Sequence, residues 1–185
     1  MGQPQRPEGV NLIVGLLSGD LALLDTARRR LVRIYGPTDL ETPIVDFTHT
    51  DYYRKEMGDA LKRQFLSFRK LRALAGIYRT KLRTNSIERA LSRSPEARSA
   101  QAGLRRRTVN IDPGYLDLSK VVLFSTKDFT HRMYLDKGIY AEVTLFYKDK
   151  SFRPWPWTYP DYRTDWYIAT FNMIRGIYIR KARRS

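Results

Sequence analysis

Val10-Asn11-Leu12-Ile13-Val14-Gly15-Leu16-Leu17-Ser18-Gly19-Asp20 is the stretch on which the fold turns. From Val10 to Leu17 the run is apolar apart from Asn11. It is too short to cross a bilayer and is stopped by Ser18-Gly19, so it reads as a buried strand. Asp20 stands where a helix N-cap belongs. After it Leu21, Leu24, Arg28, Leu31 and Ile34/Tyr35 recur at helical spacing until Gly36-Pro37 ends the run.

Outward from this strand and helix, residues 43–47 read as a second strand and residues 61–68 as a third, carrying Lys62 and Arg63. Residues 71–93 read as a long basic helix with Leu71, Leu74, Ile77/Tyr78, Leu82 and Leu91 inward. Residues 92–104 lack apolar periodicity and read as a surface loop, and residues 1–8 as a flexible N-terminus. A fourth strand, 107–111, runs into Asp112-Pro113-Gly114, which has the residues of a type II turn. The order is β-α-β-β-α-β. The expected fold is α+β, a ferredoxin-like βαββαβ core in one domain of residues 1–185, extended by a β-hairpin and a C-terminal helix.

Residues 116–126 fit either a short helix capped by Asp117 or a strand. Residues 132–135 and 139–147 then flank Asp136-Lys137-Gly138, a three-residue hairpin loop in which Gly138 supplies positive φ. Pairing Leu135 with Ile139 sets Tyr134 opposite Tyr140 and Arg132 opposite Glu142. Ile139, Ala141, Val143 and Leu145 then share an apolar face, with His131 on that face opposite Val143. A proline- and tryptophan-rich connector, 153–160, precedes a last helix from Asp165 to about Lys181.

Composition narrows the chemistry. The 185-residue chain contains no cysteine, which removes thiolate nucleophiles, disulfides and Fe–S clusters. With two histidines, His49 and His131, a metal site would lean on carboxylates and favour Mg²⁺ or Mn²⁺. No secretory signal pattern begins the chain and no apolar run spans a membrane, so the expected compartment is the cytoplasm, with no membrane partner. Between Arg54 and Arg107 there are 16 Lys+Arg against 4 Asp+Glu, so this segment carries +12 of the net charge of +15. Such a potential attracts polyanions by counterion release.

The densest polar cluster is Ser125-Thr126-Lys127-Asp128 with His131 and Arg132. Arg and Lys neutralise phosphate, and nearby carboxylates carry Mg²⁺. Thr126-Lys127-Asp128 lacks the spacer of the guanine-reading Thr-Lys-x-Asp, and neither Gly-x-x-x-x-Gly-Lys-Ser/Thr nor Gly-x-Ser-x-Gly occurs. A conventional P-loop GTPase and a standard serine hydrolase are therefore not expected. Asp112 reads first as a turn acceptor, which accounts for it before Pro113, and otherwise as a site carboxylate. Asp46 and Asp51, near Tyr52, Tyr53 and Glu56, form a second acidic-aromatic group. Arg132 with Glu142 is either a structural ion pair or part of a site. Residues 153–162, with Trp155, Trp157 and Tyr159, form either a stacking platform for bases or a strap whose rings pack over the sheet.

These residues resemble a bacterial family known only as domain of unknown function 4416. The resemblance rests on Val14-Gly15 with Gly19-Asp20, Asp51-Tyr52-Tyr53 with Glu56-Met57-Gly58, and Leu66-Ser67-Phe68. It continues through Thr84-Asn85 with Glu88, Val109-Asn110-Ile111-Asp112-Pro113-Gly114-Tyr115, Thr126-Lys127-Asp128 with His131-Arg132, Ile139-Tyr140-Ala141-Glu142 and Trp157-Thr158-Tyr159-Pro160-Asp161-Tyr162. The resemblance implies that a site built from these polar motifs belongs to the family, while the basic excess lies partly outside them.

The reading reached is a site for a phosphate-bearing ligand, a nucleotide or RNA. Lys127, Asp128, Arg132, Tyr140, Trp157 and Tyr159 would bind it, and Arg79, Arg83, Arg105, Arg106 and Arg107 would form an electrostatic track. As an enzyme, the protein would use His131 as acid or base, and Asp112, Glu142 or Asp128 for Mg²⁺. A third class is an assembly protein whose basic face docks on an acidic partner.

Overall fold

The computed structural model describes residues 2–3, 5, 7–48, 57–58, 60–93 and 108–183. Among them the elements run β1 (Asn11–Ser18), α1 (Leu21–Tyr35), β2 (Thr38–Glu41), β3 (Val45–Asp46), β4 (Lys62–Phe68), α2 (Arg79–Leu91), β5 (Asn110–Leu116), β6 (Lys120–Ser125), β7 (Met133–Asp136), β8 (Ile139–Lys148), β9 (Ser151–Pro154), a 3-10 turn (Pro160–Arg163) and α3 (Asp165–Ala182). The protein is α+β. One sheet follows the path β2-β4-β1-β5-β6-β8-β7, with β3 beside β4 and β9 beside β8, and its pairings are antiparallel. β4 lies between β1 and β2, as a split βαβ unit requires.

β1 is buried along its whole length because both its faces are covered. Leu12, Val14 and Leu16 pack with Leu24, Leu31, Ile87 and Leu91 of α1 and α2. On the other face Ile13 packs with Phe65 and with Tyr167, Phe171 and Ile174 of α3. Asp20 caps α1 as expected, accepting from Ala22 N at 2.8 Å and Leu23 N at 3.1 Å.

The structure corrects several expectations. The second strand is two short ones, β2 and β3, and Pro43 lies in neither. The basic helix begins at Arg79, not at residue 71. Arg72 is instead bridged to Val10 by backbone hydrogen bonds of 2.8 and 2.9 Å, and Gly76 adopts φ +72 just before the helix. Its inward residues are Lys81, Thr84, Ile87, Glu88 and Leu91. Asp112-Pro113-Gly114 is no turn. It lies inside β5, paired with Gly15, Val14 and Ile13 of β1. Gly114 is required there, because a Cβ would come 2.2 Å from the Val122 carbonyl oxygen. Residues 120–125 form strand β6, and Asp117 caps the turn before it, accepting from Ser119 N and Lys120 N at 2.8 and 2.9 Å.

In the hairpin Tyr134 faces Tyr140 as expected, but Asp136, not Leu135, pairs with Ile139. The loop is two residues, with Lys137 and Gly138 at φ 50 and 74, the left-handed pair of a type I′ turn. Leu145 is not on the face of Ile139 and Ala141. A bulge at Thr144, between the pairs Val122–Val143 and Val121–Leu145, turns it to the α3 side.

Candidate functional site

The site begins where two strands part. β5 and β6 pair only from Gly114–Leu123 to Leu116–Val121. Beyond that point β5 stays on β1 while β6 stays on β8. Pro113 stands at the parting point and has no N–H to give a ladder. The open edge of β5 is satisfied from α2: Ile111 N donates to Glu88 Oε1 at 2.7 Å, and Lys81 Nζ donates to Ile111 O at 3.2 Å. Two buried charged side chains thus replace a neighbouring strand, which explains their inward position on a basic helix.

The gap holds a cavity of about 370 Å³, walled by β4, α2, β5, the end of β6, β8 and the 159–162 segment. Its floor is Arg63, 1% exposed. Gly15 makes room for that guanidinium, since a Cβ there would come 3.1 Å from Arg63 Nη1. Arg63 reaches Asp161 at 3.5 Å and Asp112 at 3.8 Å, long for charge-assisted hydrogen bonds. Its Nε and Nη1 are buried without a hydrogen-bond partner. Burial works against its charge, but Tyr167, Tyr162, Asp112 and Asp161 outweigh it and hold the proton more tightly than usual. Asp112 also faces Lys81 Nζ at 3.6 Å and accepts from Asn110 Nδ2 at 2.5 Å. Burial pushes the Asp161 carboxyl up against the pull of Arg63.

At the other end Glu142, 2% exposed, takes Arg132 Nε at 2.7 Å, and His131 Nε2 lies 3.2 Å from the same oxygen. Arg132 further donates to Lys127 O at 2.9 Å and to Tyr159 Oη at 2.6 Å. Burial raises the Tyr159 phenol, with Glu142 adding to it and Arg132 opposing. The Arg132–Glu142 neighbourhood follows the expected register. His131 does not lie on the apolar face, because residues 130–131 turn before β7 begins and break the strand alternation.

Asp112, Lys127, Arg132, Glu142 and Tyr159 all line the cavity. His131 stands behind Glu142, stacked on Trp157 at 5.5 Å, and Trp157 stacks on Trp155 at 5.2 Å. Thr158 ties this strap to β8 through Thr144 O at 2.6 Å, and Arg163 clasps Thr158 O and Pro156 O. The strap's rings therefore pack on one another. Tyr140 packs against Tyr134, and Asp128 is exposed on the loop outside the lining. Arg79 and Arg83 are exposed on α2, whereas Arg105, Arg106, Arg107 and Asp51 lie outside the described residues. Arg63, Lys81, Asn110 and Asp161 were not foreseen as site residues. For Arg63 the only signal is an arginine within an apolar strand.

Among the described residues no group of three or more His, Asp or Glu side chains is arranged to hold a metal ion. Asp112 and Glu142 instead face Lys81, Asn110 and Arg132. The lining carries four cations, Arg63, Lys81, Lys127 and Arg132, against three carboxylates, and its apolar wall includes Phe124, Tyr159 and Tyr162. This arrangement can take an anion and lay a flat group against rings. No helix among the described residues is long and apolar enough to cross a membrane.

The model of the family described as domain of unknown function (DUF4416) matches residues 8–178. No curated protein and no solved structure matches the chain.

Proposed function

We propose that this chain, which belongs to the DUF4416 family, binds a phosphate-bearing ligand of nucleotide size in the cleft between β5 and β6. The observation that carries the reading is Arg63, a buried guanidinium on the cavity floor whose Nε and Nη1 make no hydrogen bond. A buried donor left unmade costs about 1–3 kcal/mol, so an anion that completes it gains what the empty site lacks. The cavity of about 370 Å³ lies in the range of small-ligand sites, and its rings offer a surface for a base. A second reading, contact with RNA, has in its favour the exposed Arg79 and Arg83 on the outer side of α2.

The test is calorimetric titration of the purified protein with AMP, GMP, ADP, GTP and inorganic phosphate. One-to-one binding of a nucleotide is expected, weakened about tenfold or more in Lys127→Ala, which removes a cation from the lining. No heat with any of these probes, for a protein whose circular dichroism shows it folded, would overturn the reading.

A further inference from the structure

We infer that the outer face shared by α1 and α2 binds the phosphate backbone of double-stranded RNA. The inference rests on the RNA reading and extends it to a second helix and to one form of the partner. It is separate from the cavity, which α2 lines only through the inward-facing Lys81.

The exposed charged side chains of α1 are Arg29, Arg30 and Arg33, and those of α2 are Arg79, Arg83 and Arg89. The two helices contain one carboxylate each. Asp25 is held by Arg28 at 2.8 Å and Arg29 at 2.7 Å, and Glu88 is buried against β5. No anion on either helix answers the remaining arginines. Arg30, Arg33 and Arg83 make no ion pair among the described residues.

The arginines also converge. Arg28 points to the β2 flank, where it meets Glu41 at 3.5 Å. At about 100° per residue, Arg30 and Arg33 fall roughly 200° and 140° away from it, clear of that flank. Tyr35, at the end of α1, is next to Thr80 in the first turn of α2 and feels the charges of Arg83 and Arg72. The last turns of α1 therefore lie beside the first turns of α2, with cations on both banks of the seam.

What the face lacks selects the form of the partner. Single strands are held largely by stacking on aromatic rings, and membrane surfaces by insertion of apolar side chains. Neither helix exposes an aromatic ring. Large exposed apolar residues on them are limited to Leu21, at the far end of α1. Arg79 lies over the Tyr78 ring at 5.9 Å, and the other arginine forks, which face solvent without a ring contact among the described residues, suit the phosphate rows of a duplex, contacted without base readout.

Fluorescence anisotropy with a labelled 20-base-pair RNA duplex, the corresponding single strand and vesicles containing acidic phospholipid decides between the partners. The duplex is expected to bind best, with a steep loss of affinity as salt rises. Arg30→Glu with Arg33→Glu on α1, and separately Arg79→Glu with Arg83→Glu on α2, are each expected to weaken it tenfold or more. Lys148→Glu with Lys150→Glu, on the distant β8–β9 turn, is expected to change it less than threefold. If single strands bind as well as duplex, or the α1 pair has no more effect than the distant pair, the inference fails while the RNA reading stands. If no RNA binds at low salt, or only vesicles do, both fail.

Discussion

Arg63 is a cation placed where folding alone gives it little reason to be. Moving a guanidinium from water to the interior costs several kcal/mol, repaid only when its donors are met at good geometry. Here the carboxylates stand at 3.5 and 3.8 Å, and Nε and Nη1 make no hydrogen bond. A group needed only for stability would be closed off as Glu142 is, by Arg132 at 2.7 Å. Gly15 sharpens the point, because a Cβ added there meets Arg63 Nη1 and a Phe65 ring carbon, both at 3.1 Å. Gly15→Ala should push the guanidinium aside by a few tenths of an ångström. We expect nucleotide affinity to fall about tenfold, with a stability loss of about 1–2 kcal/mol, as for modest overpacking. Calorimetry and urea unfolding on the same preparation check this. A large stability loss with unchanged affinity would mark Gly15 and Arg63 as packing residues. The arginine was visible in the sequence as an interruption of an apolar strand, but Gly15 is distant from it in the chain. Only the β1–β4 register brings the two together.

At the scale of elements, the cleft exists because β5 leaves β6 while its backbone groups remain satisfied. Glu88 and Lys81, two helical turns apart, meet the N–H and C=O of Ile111. Glu88→Ala should leave a buried N–H unmet and cost about 1–3 kcal/mol. Glu88→Gln keeps an acceptor oxygen and should recover most of that loss. Urea midpoints for the two variants test the assignment, and equal losses would contradict it. This device also explains why α2 was misjudged. Helical periodicity in apolar residues selects an inner face, whereas this helix turns a lysine and a glutamate inward to serve a strand edge. Asp112-Pro113-Gly114 misled for a related reason: its composition is that of a turn, but the proline ends a ladder and the glycine admits the Val122 carbonyl. The hairpin was legible because its pairing depends on near neighbours in sequence. Its register carried Arg132 to Glu142 correctly, but it failed at the loop, where Asp136 pairs with Ile139, at His131, which precedes β7, and past the bulge at Thr144, which β6 imposes from outside the hairpin.

Over the whole molecule, α3 closes the sheet face that α1 and α2 leave open, and it does so with rings. Phe65 of β4 meets Tyr167 and Phe171 edge-on at 4.8 and 5.2 Å, and Tyr162 stacks on Phe171 at 5.7 Å. Tyr162 and Tyr167 are 3% and 1% exposed. Burial lifts both phenols well above their ordinary range, and Arg63, which pulls them down, does not offset it. Burial likewise pushes Tyr115 up to about 12. A folded-state pKa above the unfolded one means that the folded protein holds its proton longer. The stability so gained is complete below the unfolded tyrosine value, about 10, and is lost as pH rises from there through the folded values. Loss of lysine charge over the same range relieves the self-repulsion of a chain of net charge +15 and acts in the opposite direction. Removing the phenols separates the two effects. The urea midpoint of the wild type should drop steeply above about pH 10, and Tyr162→Phe with Tyr167→Phe should flatten that drop. Tyrosinate absorbance near 295 nm gives the second readout: part of the wild-type signal should appear only together with unfolding. If every tyrosine titrates near pH 10 while the protein stays folded, the rings do not form a closed layer and α3 does not seal this face.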